Sequence, residues 1–429
     1  VPHHFTPLRI ALVSLHTSPG AEPGSGDAGG MNVVVRHQAE ALASAGHHVE
    51  ILTRRSSPVS DPVQLSPGVT LRFLDAGPAH PIPKGDHEEF IDAFRVQMAA
   101  LGPYDVIHSH HWFSGMAALP LARRRGTPHV QSFHSIAADV STPLSAGERP
   151  ESPGRMAGEA WLAQESDALI AISEAEADTI VERLGGAPER ITIVLPGVDG
   201  ILFRPTDVRG VGGAEAVGGA GGVGVGVSGP VDIRGYAVVA GRLQPLKGLD
   251  LAIAAIAAVP EPIRPELVIA GDASADYDGY IDELRALAAR HGIERSVRFV
   301  GPQSRVDLAL LLSGARVVLV PSHSETYGLV ALEAAASGVP VVAAAAGGLR
   351  EAVLDGATGV VLDSRDPSVW AGALSQILSN PAFARRLSLA ARERAEHLDW
   401  QRSADGLVTV YRALVRPGSL PSLPSLLTA

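Results

Sequence analysis

The 429-residue chain contains no cysteine. That excludes disulfides and thiolate metal sites, and it is compatible with a cytoplasmic protein. Although 46% of the residues are hydrophobic, no apolar run reaches the roughly 18 residues a membrane span needs. Cations are the minority charge: 35 Lys and Arg against 46 Asp and Glu leave a net charge of −11. That balance argues against a general nucleic-acid binder, while a locally basic cleft can still hold an anionic ligand. The start, Val1-Pro2-His3-His4-Phe5, lacks the basic-then-apolar layout of a secretory leader. The expected partners are therefore small molecules in the cytoplasm, with neither nucleic acid nor membrane involved.

What is present is a repeated strand-then-helix pattern, long enough for two domains of about 200 residues each. A strand at 9–14, a helix at 33–45 and a strand at 49–53 make an opening β-α-β unit. Its loop holds Gly24-Ser25-Gly26-Asp27-Ala28-Gly29, a literal dinucleotide fingerprint. Geometry rejects it, because about nine residues precede the first glycine where a tight turn is needed. Thr53-Arg54-Arg55 also stands where the ribose-binding acid belongs. Read otherwise, Gly29-Gly30 lets the backbone approach a ligand, with the Asn32 amide directed into the cleft.

Strands at 105–108 and 129–132 run into histidines. Along His108-Ser109-His110-His111 neighbours alternate between faces and no carboxylate completes a set, so no metal site is expected. His134, just past its strand, lies where open α/β sheets face their ligands. A strand at 168–173 leads into Glu174-Ala175-Glu176, and one at 191–195 ends at Pro196-Gly197-Val198-Asp199. Between Gly210 and Gly229, ten of twenty residues are glycine, which reads as a linker or surface insertion without a function of its own.

The second half opens with a strand at 236–240 and Gly241-Arg242-Leu243-Gln244-Pro245-Leu246-Lys247-Gly248. Two cations, Arg242 and Lys247, placed so would grip a diphosphate and neutralise charge on a leaving nucleotide. After strands at 267–270 and 297–300, the informative stretch is a strand at 315–320 closed by Pro321, followed by Ser322-His323-Ser324-Glu325-Thr326-Tyr327-Gly328 and an Ala-rich helix. Glu325 and Glu333 bracket the start of that helix. Its first amides, at Leu329 and Val330, face a phosphate there, with Glu333 on a ribose diol and Glu325 on sugar hydroxyls.

These motifs resemble the retaining glycosyltransferase family that contains sucrose synthase and glycogen synthase. The resemblance rests on Glu325 and Glu333 with Pro321-Ser322 before and Gly338-Val339-Pro340-Val341-Val342 after, and on Gly241-Arg242 with Lys247-Gly248. It implies an α/β GT-B fold, two Rossmann-like domains facing each other across a cleft. The expected boundaries are an acceptor-binding domain at 1–205, a Gly-rich linker at 206–232, a nucleotide-sugar-binding domain at 233–398, a helix at 399–418 returning to the first domain, and a disordered tail at 419–429.

The resemblance also implies a UDP-sugar hexosyltransferase giving an α-glycoside. Arg242, Lys247, Glu325 and His134 would be catalytic; Gly29, Gly30, Gln303, Leu329, Val330 and Glu333 would bind the donor. No cofactor is implied beyond that donor, and Mg2+ is an optional companion of the nucleotide. The partners implied are a nucleotide sugar and a cyclitol acceptor, and a homodimer is an open option. An epimerase of the same fold and a non-catalytic UDP sensor are the competing readings.

Ser14-Leu15-His16-Thr17-Ser18-Pro19, Gly26-Asp27-Ala28-Gly29-Gly30-Met31-Asn32 and His108-Ser109-His110 resemble the branch that makes mycothiol from inositol 3-phosphate. Lys84 and Arg155 match that branch's acceptor cations, while His111 and Ser135 stand at its tyrosine and threonine positions. Asn32 completes the expected acceptor side. Asp139, in Ala138-Asp139-Val140-Ser141, stands where that branch has a lysine. An acid for a cation changes the local charge by about two, which favours an ammonium over a phosphate. The favoured expectation is thus an aminocyclitol acceptor, as in aminoglycoside antibiotic assembly; the alternative is 1D-myo-inositol 3-phosphate with N-acetylglucosamine as the sugar.

Overall fold

The computed structural model describes residues 6–22, 28–138, 151–206, 235–272, 277 and 279–415. Asp139, most of the Gly-rich stretch and the expected tail at 419–429 lie outside the described residues.

Among the described residues the strands form two sheets. The first contains β1 (Arg9–Val13), β2 (His48–Arg54), β3 (Val63–Ser66), β4 (Val69–Leu74), β5 (Val106–His110), β6 (His129–Ser132), β7 (Ala168–Ala171) and β8 (Ile191–Ile193). They lie in the order β3-β4-β2-β1-β5-β6-β7-β8, and only the β3–β4 edge is antiparallel. The second contains β9 (Tyr236–Ala240), β10 (Glu266–Ala270), β11 (Val297–Gly301), β12 (Val317–Val320), β13 (Val341–Ala344) and β14 (Gly359–Leu362). Their order is β11-β10-β9-β12-β13-β14, parallel throughout.

Parallel sheets covered by helices on both faces want strands that are apolar throughout. β7, β12 and β13 answer to this, with every residue buried. In each sheet the strand order reverses beside the first strand, between β1 and β5 and between β9 and β12. Ligand crevices of open α/β sheets form at the carboxyl ends of such switch points. Both switch points here carry the motif-bearing loops.

The last helix, Trp400–Val415, packs on the first sheet's side: Trp400, Ala404, Leu407, Val410 and Tyr411 share a core with Ile10, Leu12 and Val34. Gln38 Nε2 donates to Ser403 Oγ at 3.0 Å, and the Tyr411 hydroxyl pairs with His108 Nδ1 at 2.7 Å. The chain therefore passes between the two sheet units twice. The passages touch, with Val198 N–H donating to Leu398 O at 2.8 Å. A Cβ on Gly197 would stand 2.4 Å from Trp400 N, so only glycine fits that crossing. No helix among the described residues is long and apolar enough to cross a membrane.

Candidate active site

A cavity of about 340 Å3 lies between the two sheets and is lined by both. Arg242, Lys247, Glu325 and His134 line it, as do Gly29, Gly30, Gln303, Leu329, Val330 and Glu333. Asn32, Lys84, His111 and Ser135 close the opposite side.

On the second sheet's wall, β9 ends in Gly241-Arg242 and the short turn Pro245–Lys247 presents Lys247. Its ammonium is ion-paired with the Glu325 carboxylate, which also accepts from Ser322 Oγ at 3.0 Å. Cation and carboxylate hold each other in position until an anionic ligand competes for the lysine. The Glu325–Thr326 backbone is packed against the Gly347-Gly348 turn, where Gly348 N–H donates to Glu325 O at 3.0 Å. A Cβ on Gly348 would lie 2.2 Å from Thr326 O, so side chains are excluded there.

The helix Leu329–Ala336 begins at Gly328 (φ 103°) without a side-chain cap, leaving its positive end on the cavity. Glu333 is buried on this helix and accepts from Arg305 Nη1 at 2.5 Å. The Arg305 guanidinium lies 4.7 Å over the Phe203 ring. Arg305 escaped sequence reading, although a cation on the first residue of the helix Arg305–Ser313 opposes the dipole and signals a partner elsewhere. The Gln303 amide is folded back onto the Val300, Gly301 and Pro302 carbonyls, at 2.9, 3.2 and 3.2 Å, and braces its own loop.

From the first sheet, the Gly29-Gly30 turn opens the helix Gly30–Ser44 and reaches the opposite wall. A Cβ on Gly29 would stand 3.8 Å from Arg242 Nε, and one on Gly30 3.3 Å from Leu329 Cδ1. Asn32 was expected to offer its amide to a ligand. It lines the cavity, yet Nδ2 donates to Thr17 Oγ1 (2.9 Å) and Ser18 O (2.7 Å), and Oδ1 accepts from Gly29 N–H (3.2 Å). The helix starts three residues earlier than expected, which places Asn32 in its first turn, where the side chain accepts the Gly29 N–H and the amide turns onto the loop.

Lys84 stands beside two imidazoles, the half-buried His16 and the buried His111, whose centroids are 4.4 Å apart. Both are held well below the ordinary histidine value by burial, and next by the charge of Lys84, with His87, Arg155 and Arg242 also acting on His16. Each is therefore a neutral ring near pH 7. His16 Nδ1 and both His111 nitrogens are buried without a partner among the described residues, on two residues that line the cavity. Arg155, expected on the acceptor, does not line the cavity. It is clamped by Glu159 at 2.8 Å and Glu151 at 2.7 Å, and Nη2 donates to Ser135 O (3.0 Å) and Oγ (3.2 Å). Its contribution reaches the cavity through Ser135.

His134 has a left-handed backbone, φ 59°. Its ring bonds to His110, Nε2 to Nδ1 at 2.8 Å, and Thr326 Oγ1 donates across the cavity to its carbonyl at 2.7 Å. The buried Glu176 carboxyl accepts from Ile172 N–H at 2.8 Å and has the His134 N–H close by. Burial pushes the Glu176 carboxyl up to about 7, the two N–H donors opposing that rise. Glu351 of the second unit caps the same helix, accepting from Glu174 N–H (2.9 Å) and Ala175 N–H (3.1 Å). Among the described residues no group of His, Asp and Glu is arranged to hold a metal ion.

Glu176 has a measurable consequence. Between pH 4.5 and about 7 the folded chain keeps a proton on Glu176 that the unfolded chain has lost. Protons bound only by the folded state make stability fall as pH rises, here by about 3 kcal/mol across that window. Urea unfolding of Glu176→Gln should lack this slope; a wild type whose stability relative to Gln is flat from pH 4 to 8 would contradict the buried acid.

Two family profiles cover the chain. One described as Glycosyl transferases group 1 matches residues 229–394, and one described as Glycosyl transferase 4-like domain matches residues 29–197. A protein of Mycolicibacterium paratuberculosis named D-inositol 3-phosphate glycosyltransferase is 40% identical over 418 residues, 96% of this chain and 91% of its own. Its namesake in Frankia alni is 39% identical over 418 residues, 95% of this chain and all of its own. Among solved structures, sucrose-phosphate synthase from Thermosynechococcus elongatus superposes with a TM-score of 0.82 at 30% identity, covering 95% of this chain and 99% of its own. Anabaena HepE, solved with UDP and glucose, superposes at 0.72 and 19% identity over 95% of this chain and all of its own, a likeness of fold.

These relatives overturn the aminocyclitol expectation. Proteins matching from end to end are named for an inositol phosphate, and none of this supports a role in antibiotic assembly. The physical reason lies in the same pocket. The argument rested on Asp139, outside the described residues, whereas the fields of Lys84 and Arg155 reach His16 and His111. With two sheet units enclosing one cavity and glycosyltransferase relatives matching from end to end, the chain belongs to the group 1 glycosyltransferases of GT-B fold.

Proposed function

We propose that the chain transfers a glucose-type sugar, N-acetylglucosamine in the branch it resembles, from UDP to a hydroxyl of 1D-myo-inositol 3-phosphate with retention. The observation that carries this reading is one cavity with a cation on each wall, Arg242 and Lys247 facing Lys84, which stands beside the neutral His16–His111 pair. The first set suits a nucleotide diphosphate and the second a phosphate monoester. The names of the end-to-end relatives support the same acceptor.

In this reading Arg242, Lys247 and the open amides of Leu329 and Val330 take the diphosphate, and Glu333 releases Arg305 to hold the ribose. Glu325 and His134 contact the transferred sugar. The bond from the anomeric carbon to the diphosphate breaks, and the charge left on the terminal phosphate is stabilised by the cations and the helix end. The acceptor hydroxyl bonds to the same face of that carbon and gives its proton to the departing phosphate. The Thr326 and Glu351 contacts hold the units closed and keep water from competing.

The test is UDP release from UDP-glucose, UDP-glucosamine and UDP-N-acetylglucosamine, each with and without D-inositol 3-phosphate or unphosphorylated inositol, with products weighed by mass spectrometry. A glycosylated inositol phosphate is expected. Turnover that ignores the phosphate would end this reading.

A further inference from the structure

His108-Ser109-His110 ends β5 without lining the cavity, and His110 is fully buried. Its Nδ1 lies 2.8 Å from His134 Nε2, the rings nearly parallel with centroids 5.1 Å apart. The His108 ring lies against it, tilted by 33° with centroids 4.3 Å apart, and is itself anchored by the Tyr411 hydroxyl and Ser132 Oγ at 2.7 and 2.9 Å. His110 is thus wedged in place, with one ring edge given to His134.

Burial holds His110 well below the ordinary histidine value and His134 at about 4, so both rings are neutral near pH 7 and share one proton in their bond. Two arrangements are open. If His134 donated, His110 would carry its proton on Nε2, which has no acceptor among the described residues. A sealed N–H without a partner costs about 1–3 kcal/mol, and such donors are rarer in folded proteins than unpaired acceptors. If His110 donates, its bare Nε2 is merely an unpaired acceptor. The spare N–H then sits on His134 Nδ1, which is as buried and unpartnered as His110 Nε2 but belongs to a residue that lines the cavity. A ligand oxygen can satisfy it there.

We propose that His110 is a positioning residue: its Nδ1–H donates to His134 Nε2 and so fixes His134 as the tautomer that offers Nδ1–H to an oxygen of the transferred sugar. This rests on the reading of His134 as a sugar contact. The backbone of His134 is held independently by Thr326 at its carbonyl, with the Glu176 carboxyl close to its N–H. The remaining freedom of the ring is which nitrogen carries the proton.

The experiment is nitrogen-15 NMR of the histidine rings in the full chain, with kinetics of three variants. His110→Asn places an amide donor near the former Nδ1, His110→Gln places it near Nε2, and His110→Leu removes it. The wild type should show His134 protonated on Nδ1. Gln and Leu should move that proton and lower kcat about 100-fold, the usual cost of one misdirected donor, with the donor KM little changed. Asn should restore most of the loss. A wild-type His134 protonated on Nε2, or equal losses in all three variants, overturns the proposal. Should the variants not fold, the wild-type tautomer decides alone. Normal turnover in His134→Ala would remove the sugar contact, and with it the purpose assigned to His110, whatever the tautomer.

Discussion

Lys247→Ala should lower kcat by about 1,000-fold, equivalent to about 4 kcal/mol of transition-state stabilisation, with the fold intact. The lysine does two things in succession. Without ligand its ammonium pairs with Glu325 and keeps that carboxylate over the cavity. With the diphosphate bound, it neutralises charge that grows as the glycosidic bond breaks. Removing it therefore misplaces one group and leaves another uncompensated. Arginine should rescue poorly, because a planar fork cannot occupy the point-charge position on the short turn Pro245–Lys247. The check is single-turnover kinetics beside a thermal melt: a normal melt with lost turnover is expected. Near-normal turnover would take the lysine out of the mechanism.

Lys84→Ala should raise the KM for D-inositol 3-phosphate about 100-fold, the loss expected for a charge-assisted contact to a phosphate in a partly enclosed site. The donor KM should stay where it is, since Lys84 stands on the first sheet's wall, beside His16 and His111. Unphosphorylated inositol, if turned over at all, should be unaffected. That contrast between the two acceptors is the measurement. An equal loss on both would mean that Lys84 holds the pocket together and does not read the phosphate.

Much of this was local enough to be read directly. Strands such as Tyr236–Ala240 and His129–Ser132 are apolar or histidine-ended runs bounded by turn residues, and they appear with the bounds expected. The last helix, Trp400–Val415, falls within the 399–418 stretch expected for it, because its start and its apolar face lie within one short segment. The elements that line the second sheet's side of the cavity were legible for the same reason. A glycine at a strand end, two cations and a helix opening are neighbours in the chain before they are neighbours in space. The edge pair β3–β4 was not foreseen: β3 is four residues with none buried, and the alternation of β4, from Val69 to Phe73, is brief.

What the tertiary structure alone decided is which polar groups are spent and which are left to a ligand. Asn32 and Arg155 look like ligand groups in the sequence, and folding spends the first on Thr17, Ser18 and Gly29 and the second on Glu151, Glu159 and Ser135. His16, Arg305 and Thr326 gain their places from partners in other elements: His111, Glu333 and the His134 carbonyl. The acceptor was misread for this reason too, since charge counted along the chain at Asp139 is no substitute for the fields that meet at His16 and His111. Periodicity and motif spacing act over a few residues and are written in the sequence. Hydrogen bonds and Coulomb forces between distant segments depend on separations of a few ångströms that only the packed chain defines.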